Sequence, residues 1–152
     1  MIEIDLQSEK ILSALERFGR LSNVELAEKV GLSPSACLRR VQELERLGVI
    51  KGYRAIIDRA AISPNITVFV MVGLLHQLKE DARSFERAME AAKQVLECHN
   101  IAGNVEYLLR VEVSDLDAYK NFHADVLGTL PMVASVTSYF RLSTAKDQRN
   151  TL

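Results

Sequence analysis

Residues 33–48 read S-P-S-A-C-L-R-R-V-Q-E-L-E-R-L-G, and this stretch decides how the N-terminal third of the chain folds. Ser33 can accept a hydrogen bond from a free first-turn N–H, as a helix N-cap does. Pro34 suits the first helical position, where its missing N–H donor costs nothing. Gly48 follows the last apolar residue and can adopt the left-handed conformation that ends a helix. The stretch therefore predicts one short helix with sharp ends.

This helix has two unlike faces when its residues are placed about 100° apart. One face gathers Cys37, Leu38, Val41, Leu44 and Leu47, and the other gathers Ser35, Ala36, Arg39, Gln42, Glu43 and Arg46, with Arg40 flanking them. Small residues and arginines near a helix N-terminus suit entry into the DNA major groove, because small side chains allow close approach. An ordinary amphipathic helix with a solvated charged face is the alternative, and the helix alone leaves both open.

Two more helix starts precede this stretch. Asp5 can cap a first helix, and Ser22 and Glu25 fit a capping box in which each side chain binds the other's backbone N–H. The buried face of the second helix is expected to contain Val24, Leu26, Ala27 and Val30. The turn at Gly31 then leads directly into the helix that begins after Ser33. This order predicts a helix-turn-helix braced by the first helix.

The ten residues after Gly48, V-I-K-G-Y-R-A-I-I-D, are rich in β-branched residues and predict a strand pair, or wing. Wings usually contact the DNA backbone, so Lys51 and Arg54 are expected to bind phosphates. The candidate DNA-binding residues are thus Ser33, Ser35, Ala36, Arg39, Arg40, Lys51 and Arg54. Residues 58–65 lose periodicity and contain Pro64, which predicts a linker after a winged helix-turn-helix domain at residues 1–57.

The composition is that of a soluble globular protein, with 152 residues, 48% hydrophobic and 26% charged. No run reaches transmembrane length and no basic-then-apolar leader opens the chain, so the expected location is the cytoplasm. The formal net charge is −1, yet residues 33–59 hold six Lys or Arg against three acids. Because charge distribution matters more than net charge for DNA binding, this local excess favours a nucleic-acid partner.

No catalytic or metal chemistry stands out in the sequence. Cys37 and Cys98 lie in separate segments and have no metal or redox spacing. His99 follows Cys98 in a predicted strand, where neighbouring side chains point to opposite faces and cannot chelate one ion. We found no nucleophile–base spacing, phosphate loop or acidic pair, and therefore expect no metal, no cofactor and no enzymatic activity.

Residues 66–75, I-T-V-F-V-M-V-G-L-L, predict a strand that is apolar on both faces. Such a strand is normally buried on both faces. Helices of the same domain can cover one face, and a second copy of the chain is the simplest cover for the other. Additional secondary structure from the same chain is the alternative, although about ninety residues leave little to spare. We therefore expect a homodimer.

The remaining pattern completes a β-α-β-β-α-β order. Helices are predicted at residues 81–93 and 115–127, and strands at residues 95–102, 105–113 and 133–142. Gly103-Asn104 can adopt positive φ and is expected to make a tight hairpin. The prediction is an α+β protein whose residues 66–152 form a ferredoxin-like domain with both helices on one face of the sheet.

Over residues 3–146 the chain resembles the leucine-responsive/asparagine-regulator (Lrp/AsnC) family of transcription regulators. The resemblance rests on six segments in family order: I-D-L-Q-S-E-K-I-L, S-N-V-E-L-A-E-K-V-G-L-S-P-S-A-C-L-R-R-V, E-L-E-R-L-G-V-I-K-G-Y, E-C-H-N-I-A-G-N-V-E-Y-L-L-R-V, D-L-D-A-Y and L-P-M-V-A-S-V-T-S-Y. It implies an N-terminal domain that binds double-stranded DNA and a C-terminal domain that builds dimers and often octamers. It also implies a small-molecule effector, usually an amino acid, bound between subunits near the G-x-x-[DE]-Y hairpin.

The resemblance places the effector site at specific residues of this chain. The hairpin motif corresponds to Ala102, Gly103, Asn104, Val105, Glu106 and Tyr107, and Leu116, Thr137 and Tyr139 match family positions near the same pocket. Glycine allows a ligand close to the backbone, turn amides can hold a carboxylate, and Glu106 can pair with an α-ammonium group. Many relatives have an acidic residue where this chain has Asn104, so the hairpin of this chain has one carboxylate fewer. Hairpin structure alone is the other interpretation of Glu106 and Tyr107.

Three functions compete on this sequence. The first is an effector-responsive DNA-binding regulator, and the second is a ligand-sensing and oligomerisation module with weak or architectural DNA binding. The third is a small ferredoxin-like enzyme, which the lack of catalytic groups disfavours. The candidate DNA-binding face and wing favour the first over the second.

Overall fold

Two groups of buried apolar side chains organise the chain, one on either side of a division between Ile57 and Asp58. They are described separately. The computed structural model describes residues 3–62 and 65–146. Of the helices in these residues, none combines the length and the apolarity that a membrane span requires.

The N-terminal unit contains three helices, α1 at Leu6–Phe18, α2 at Asn23–Val30 and α3 at Pro34–Arg46. The side chains of Asp5, Ser22 and Ser33 accept hydrogen bonds from first-turn N–H groups, and Ser22 forms the predicted capping box with Glu25. Gly31 ends α2 at a left-handed φ of 71°, a conformation that glycine adopts without strain. The predicted helix-turn-helix is confirmed.

A small core joins these helices. Its fully buried members are Ile11, Leu26, Ala27, Val30, Cys37 and Leu44. Burial raises the pKa of the Cys37 thiol, as expected for a packing residue. Val24, Leu38 and Leu47 were predicted inside but are exposed to 53%, 45% and 38%. Three short helices cover only the innermost part of each apolar face, which accounts for the error.

The predicted wing does not form as a strand pair. Residues 49–58 contain no strand, and every residue from 51 to 58 is exposed. The backbone N–H groups of Val49 and Ile50 instead donate to the Leu44 carbonyl at 2.9 and 3.1 Å, which closes the end of α3. A strand needs a neighbour for its backbone groups, and the described residues of this unit offer none. The predicted linker at residues 58–65 contains one helical turn, α4 at Arg59–Ile62.

The C-terminal unit is a four-stranded sheet with two longer helices. Its elements are β1 at Ile66–Leu74, α5 at Lys79–Ala91, β2 at Val95–Asn100, β3 at Tyr107–Val113, α6 at Leu116–Asp125 and β4 at Val133–Phe140, with a short 3-10 helix at Leu127–Thr129. The strands pair in the order β2-β3-β1-β4, and every pair is antiparallel. This is the predicted ferredoxin-like arrangement, and it is confirmed.

The core of this unit lies on one face of the sheet. Buried residues of β1 and β3 pack with Phe85 and Met89 of α5 and with Tyr119 and Phe122 of α6. Strand residues alternate between faces, so Phe69 and Met71 of β1 point to the other face. There Phe69 is 37% exposed, and no described helix packs over it. The sheet is therefore covered on one face and open on the other.

The connection between β2 and β3 is longer than the predicted two-residue turn. It spans residues 101–106, and Gly103 does not adopt positive φ. Two backbone bonds shape the loop: the Ile101 N–H donates to the Glu106 carbonyl at 2.8 Å, and the Glu106 N–H donates to the Val72 carbonyl at 3.2 Å. Because the second bond ties the loop to β1, contacts outside the hairpin shape the connection as much as the Gly103-Asn104 pair does.

Candidate functional site

The N-terminal end of α3 presents small polar residues to solvent. The Ser33 hydroxyl accepts the Ala36 N–H at 3.3 Å and lies 3.3 Å from the Ser35 hydroxyl. Ser35 is exposed and Ala36 is half-buried, so this turn carries no bulky side chain. A surface of this shape can approach a base edge or a phosphate closely.

The two adjacent arginines of α3, Arg39 and Arg40, differ in their surroundings. Arg39 is exposed and has no hydrogen-bond or ion-pair partner within the described residues. Arg40 turns towards α1, where its guanidinium donates to the Asp5 carboxylate at 2.6 Å and to the Ser8 hydroxyl at 3.3 Å. Arg39 is therefore available to a ligand, whereas Arg40 ties α3 to the start of α1.

The Asp5 carboxylate receives several donors at once. The Ser8 backbone N–H, the Arg40 guanidinium and the Ser8 hydroxyl together lower the Asp5 pKa from 3.8 to about 2. Each donor binds the ionised form more strongly than the neutral form. Asp5 therefore acts both as the α1 cap and as the anchor of an α3 side chain, and sequence reasoning identified only the cap.

A second tie holds α2 against α3. The Asn23 side-chain amide donates to the Pro34 carbonyl at 2.7 Å, across the turn of the helix-turn-helix. Sequence reasoning missed this contact, because nothing in the local pattern distinguishes Asn23 from any residue inside a capping box. The contact fixes the first turn of α3 relative to α2.

The basic residues after α3 lie outside any helix or strand. Lys51 and Arg54 are both exposed and lie in the irregular segment that follows the helix. Arg46, at the C-terminal end of α3, makes two bonds of 2.6 and 2.7 Å to Glu43. Of these three cations, Lys51 and Arg54 are the ones left available to a polyanion.

A cavity of about 460 Å³ lies beside the β2–β3 connection in the C-terminal unit. We call it the hairpin cavity, and its lining residues are Leu74, Gln77, Leu78, Lys79, Ala82, Asn100, Ile101, Ala102, Gly103, Val105, Glu106 and Tyr107. Four predicted effector residues, Ala102, Gly103, Val105 and Glu106, are in this set. The volume falls within the range usual for small-molecule sites.

Glu106 is the acidic residue of this cavity. One carboxylate oxygen accepts the Leu74 N–H at 2.7 Å, and the other accepts the Gln77 side-chain amide at 3.3 Å. The Leu74 bond is the main reason that the Glu106 pKa lies below its usual value. Glu106 is thus ionised at neutral pH, and it also fixes the end of β1 against the hairpin.

Tyr107 is a buried structural residue of the hairpin. Its hydroxyl donates to the Glu86 carboxylate at 2.8 Å, and its ring lies 4.6 Å from that of Phe85. Burial raises the pKa of this phenol. Of the two interpretations of the motif, Tyr107 therefore fits hairpin structure, since its polar atom already has a partner.

Four predicted effector residues lie outside the cavity. The Asn104 side chain is exposed and does not line it. Leu116 follows the far end of β3, about 20 Å of strand away from the hairpin. Thr137 and Tyr139 pair with Met71 and Phe69, which places them on the open face of the sheet. A single chain therefore does not bring these four residues to the hairpin cavity.

The cavity also contains residues that sequence reasoning did not identify. Gln77, Leu78 and Lys79 come from the connection between β1 and α5 and from the start of that helix. They lie more than twenty positions before the hairpin motif, and only the antiparallel pairing of β1 with β3 brings them near it. No local sequence signal marks them.

A second cavity, of about 380 Å³, lies between α5 and the edge strand β2. Its polar residues include Glu86, Glu90, Glu97 and Cys98. Although Cys98 is exposed, partial desolvation of its thiol, with added repulsion from Glu86 and Glu90, raises the Cys98 pKa to about 11, which keeps the thiol protonated at neutral pH. Within the described part of the chain, no group of three His, Cys, Asp or Glu residues could hold a metal ion.

Family models match both units. The model of the Lrp/AsnC ligand binding domain matches residues 67–151, and a winged helix-turn-helix DNA-binding model matches residues 4–51. The leucine-responsive regulatory protein of Escherichia coli (strain K12) is 36% identical over 145 residues, which cover 95% of this chain and 88% of that protein.

Solved structures agree with these matches. A transcriptional regulator from Neisseria meningitidis, in complex with L-Met, has a TM-score of 0.90 at 33% identity and covers 95% of this chain and 94% of its own. A feast or famine regulatory protein from M. tuberculosis, complexed with L-methionine, has a TM-score of 0.87 at 29% identity and covers 97% of each chain.

Proposed function

The chain belongs to the Lrp/AsnC family of transcriptional regulators, and from this premise we propose that α3 binds operator DNA while an amino acid in the hairpin cavity modulates that binding. The protein is a DNA-binding regulator with a ligand-binding domain. The observation that supports the residue-level proposal is that Arg39 is exposed without a partner in the described residues, while Glu106 lines a cavity large enough for a small molecule.

The DNA-binding part of the proposal rests on the surface of α3. Its first turn is small and polar, and Arg39 projects from the next turn without a partner in the described residues. Arginine commonly recognises guanine in the major groove through two parallel hydrogen bonds. Lys51 and Arg54, exposed just after the helix, would bind phosphates and set the register.

The effector part rests on the chemistry of the hairpin cavity. The cavity has an apolar wall that includes Leu74 and Ile101, and it has an ionised carboxylate in Glu106. This combination suits an amino acid with an aliphatic or thioether side chain. Two relatives that cover almost all of this chain were solved in complex with methionine, which supports the same ligand class here.

Assembly is part of the proposed mechanism. The open sheet face, with Thr137 and Tyr139, would be covered by a second copy of the chain, and the family often builds octamers from such dimers. None of the residues Asn104, Leu116, Thr137 and Tyr139 lines the hairpin cavity of its own chain. A neighbouring subunit would bring one or more of them to that cavity. The regulator would act by binding, not by catalysis, and in the cytoplasm, where it meets its DNA.

Two measurements, made one after the other, test the proposal. A thermal-shift screen of the full-length protein against the twenty amino acids should reveal at least one that raises the melting temperature, because a ligand specific to the native state stabilises it. Fluorescence anisotropy with a duplex from the gene's own upstream region, at fixed salt, should then show a change in DNA affinity when that amino acid is added.

The outcomes separate the two candidate functions. Specific DNA binding that responds to the amino acid supports the regulator. The second candidate, a ligand-sensing module with weak or architectural DNA binding, is favoured by the missing wing strands, and it predicts ligand binding with no preference for the upstream duplex over a scrambled one. If no amino acid shifts the melting temperature, the effector part of the proposal is wrong.

A further inference from the structure

One cationic residue, Lys79, is among the residues that line the hairpin cavity together with Glu106. Lys79 is the first residue of α5, and it lines the cavity together with Gln77 and Leu78 of the preceding loop. A free amino acid carries an ammonium and a carboxylate on the same carbon. A site for it therefore needs an anionic and a cationic or strongly donating group near each other, and the cavity lining supplies both charges.

Lys79 is free to bind an anion. It is exposed, and within the described residues it has no hydrogen-bond or ion-pair partner. The two acids that follow it in the first turn of α5, Glu80 and Asp81, are not among the residues that line the cavity. The N-cap position, Leu78, offers no side-chain hydrogen bond to the helix end, so unbonded backbone N–H groups add to the positive potential beside Lys79.

Glu106 can accept an ammonium group without losing its present contacts. Its two carboxylate oxygens offer about four acceptor positions. The Leu74 N–H occupies one at 2.7 Å, and the Gln77 amide occupies another at a long 3.3 Å. Gln77 and Leu74 thus hold the carboxylate in place while leaving room for a ligand donor.

A charged lysine is a stronger carboxylate partner than the amides of the β2–β3 connection. Hydrogen bonds to ionised groups are roughly twice as strong as neutral ones. The Gly103 region lines the same cavity, but Gly103 does not adopt the positive φ of the tight turn that would direct successive N–H groups at one anion. The orientation of the ligand is therefore set by its two charges.

We propose that Lys79 binds the α-carboxylate of the effector while Glu106 binds its α-ammonium group, with the side chain of the effector against Leu74, Leu78 and Ile101. The inference rests on the proposed function, because it assigns the contacts within that same site. It adds to that function a requirement that the ligand be a zwitterion with its carboxylate unmodified.

Isothermal titration calorimetry on the full-length protein tests this assignment. The titrant is L-methionine, or whichever amino acid gives the largest thermal shift, and the variants are Lys79→Met and Lys93→Met. Lys79→Met keeps the length of the side chain and removes its charge. Lys93→Met removes the same charge just after the C-terminal end of α5, outside the cavity, and is the matched control.

We expect Lys79→Met to weaken binding roughly tenfold and Lys93→Met to leave it within about twofold. The carboxamide of the same amino acid, which lacks the negative charge, should bind wild type and Lys79→Met with the same weakened affinity. That non-additive pattern is specific to a contact between Lys79 and the carboxylate, and a general loss of structure would not produce it.

Three other results would overturn the assignment. If wild type binds the amino acid and the two lysine variants bind it equally well, Lys79 does not contact the carboxylate, and the proposed effector function survives. If Lys79→Met loses as much affinity for the carboxamide as for the acid, the lysine acts through the shape of the cavity. If wild type binds no amino acid at all, the effector function itself is wrong and the assignment with it.

Discussion

At the residue scale, the two adjacent arginines of α3 show what a sequence pattern can and cannot predict. Periodicity placed Arg39 on the solvent face and Arg40 beside it, and both are in α3 as predicted. Their partners could not be predicted, because the Arg40 contact with Asp5 joins residues 35 positions apart. The same charge on the same helix thus has a packing role at one position and is available to DNA at the next.

The Asp5 contacts predict how acid affects the N-terminal unit. The Asp5 pKa is about 2 in the folded protein and 3.8 in the unfolded chain. The ionised carboxylate therefore stabilises the fold fully above pH 3.8, and this stabilisation is lost as the pH falls towards 2. At pH 6 we expect Asp5→Asn, which keeps a capping oxygen, to reduce the protection of α1 amides from hydrogen exchange. This difference from wild type should shrink as the pH falls from 4 to 2.

Arg40→Ala is the companion variant for this measurement. It removes the other half of the same ion pair, so its deficit in α1 protection should fade over the same pH interval. A deficit in Asp5→Asn that stays constant from pH 6 to pH 2 would mean that the carboxylate is not held by these donors.

At the element scale, the elements that were predicted correctly are those with local signals. The caps at Asp5, Ser22 and Ser33 identified three helix starts, because a capping side chain and the N–H that it binds lie three residues apart. The predictions of a strand-paired wing and of a two-residue hairpin turn were wrong. Their conformations depend on backbone partners elsewhere, such as the Val72 carbonyl that binds the Glu106 N–H. The hairpin motif likewise could not reveal Gln77 or Lys79.

The arrangement of α3 and the segment after it predicts two kinds of DNA contact. If Arg39 makes a bidentate base contact, Arg39→Ala should cost roughly 1–3 kcal/mol on the cognate site and little on unrelated DNA. Lys51→Ala and Arg54→Ala should weaken binding to both kinds of DNA and lower the salt dependence by about one phosphate contact each. Anisotropy titrations at several salt concentrations measure both quantities.

Arg87→Ala is the matched control for these three variants. Arg87 is an exposed arginine of α5 in the other unit, so its removal changes net charge without touching either candidate surface. Equal losses on cognate and unrelated DNA for Arg39→Ala would move this arginine from base recognition to phosphate binding.

At the scale of the whole molecule, the open face of the sheet is the feature that a single chain leaves incomplete. Pairing places Phe69 and Met71 beside Leu108 and Tyr139 on this face. Next to them Arg110 binds Glu97 at 2.9 Å and Glu112 at 3.0 Å, so its charge already has partners. Because the Arg110 charge is already paired, this face of the sheet can be buried without leaving an unpaired charge. In a twofold dimer the same face of a second copy would cover it.

Two adjacent residues of β1 separate folding from assembly. Val70 is fully buried in the core, whereas Met71 points to the open face and is half-buried. Val70→Asp places a charge among apolar side chains and should give unfolded or aggregated protein. Met71→Asp places the same charge on the open face, so we expect it to keep the circular dichroism of the wild type and to dissociate.

In light scattering at micromolar concentration, wild type should give at least twice the 17.0 kDa of one chain, and Met71→Asp should give the mass of one chain. A wild type of 17.0 kDa would refute the dimer, and a Met71→Asp variant that unfolds like Val70→Asp would show that this face is needed to fold each chain.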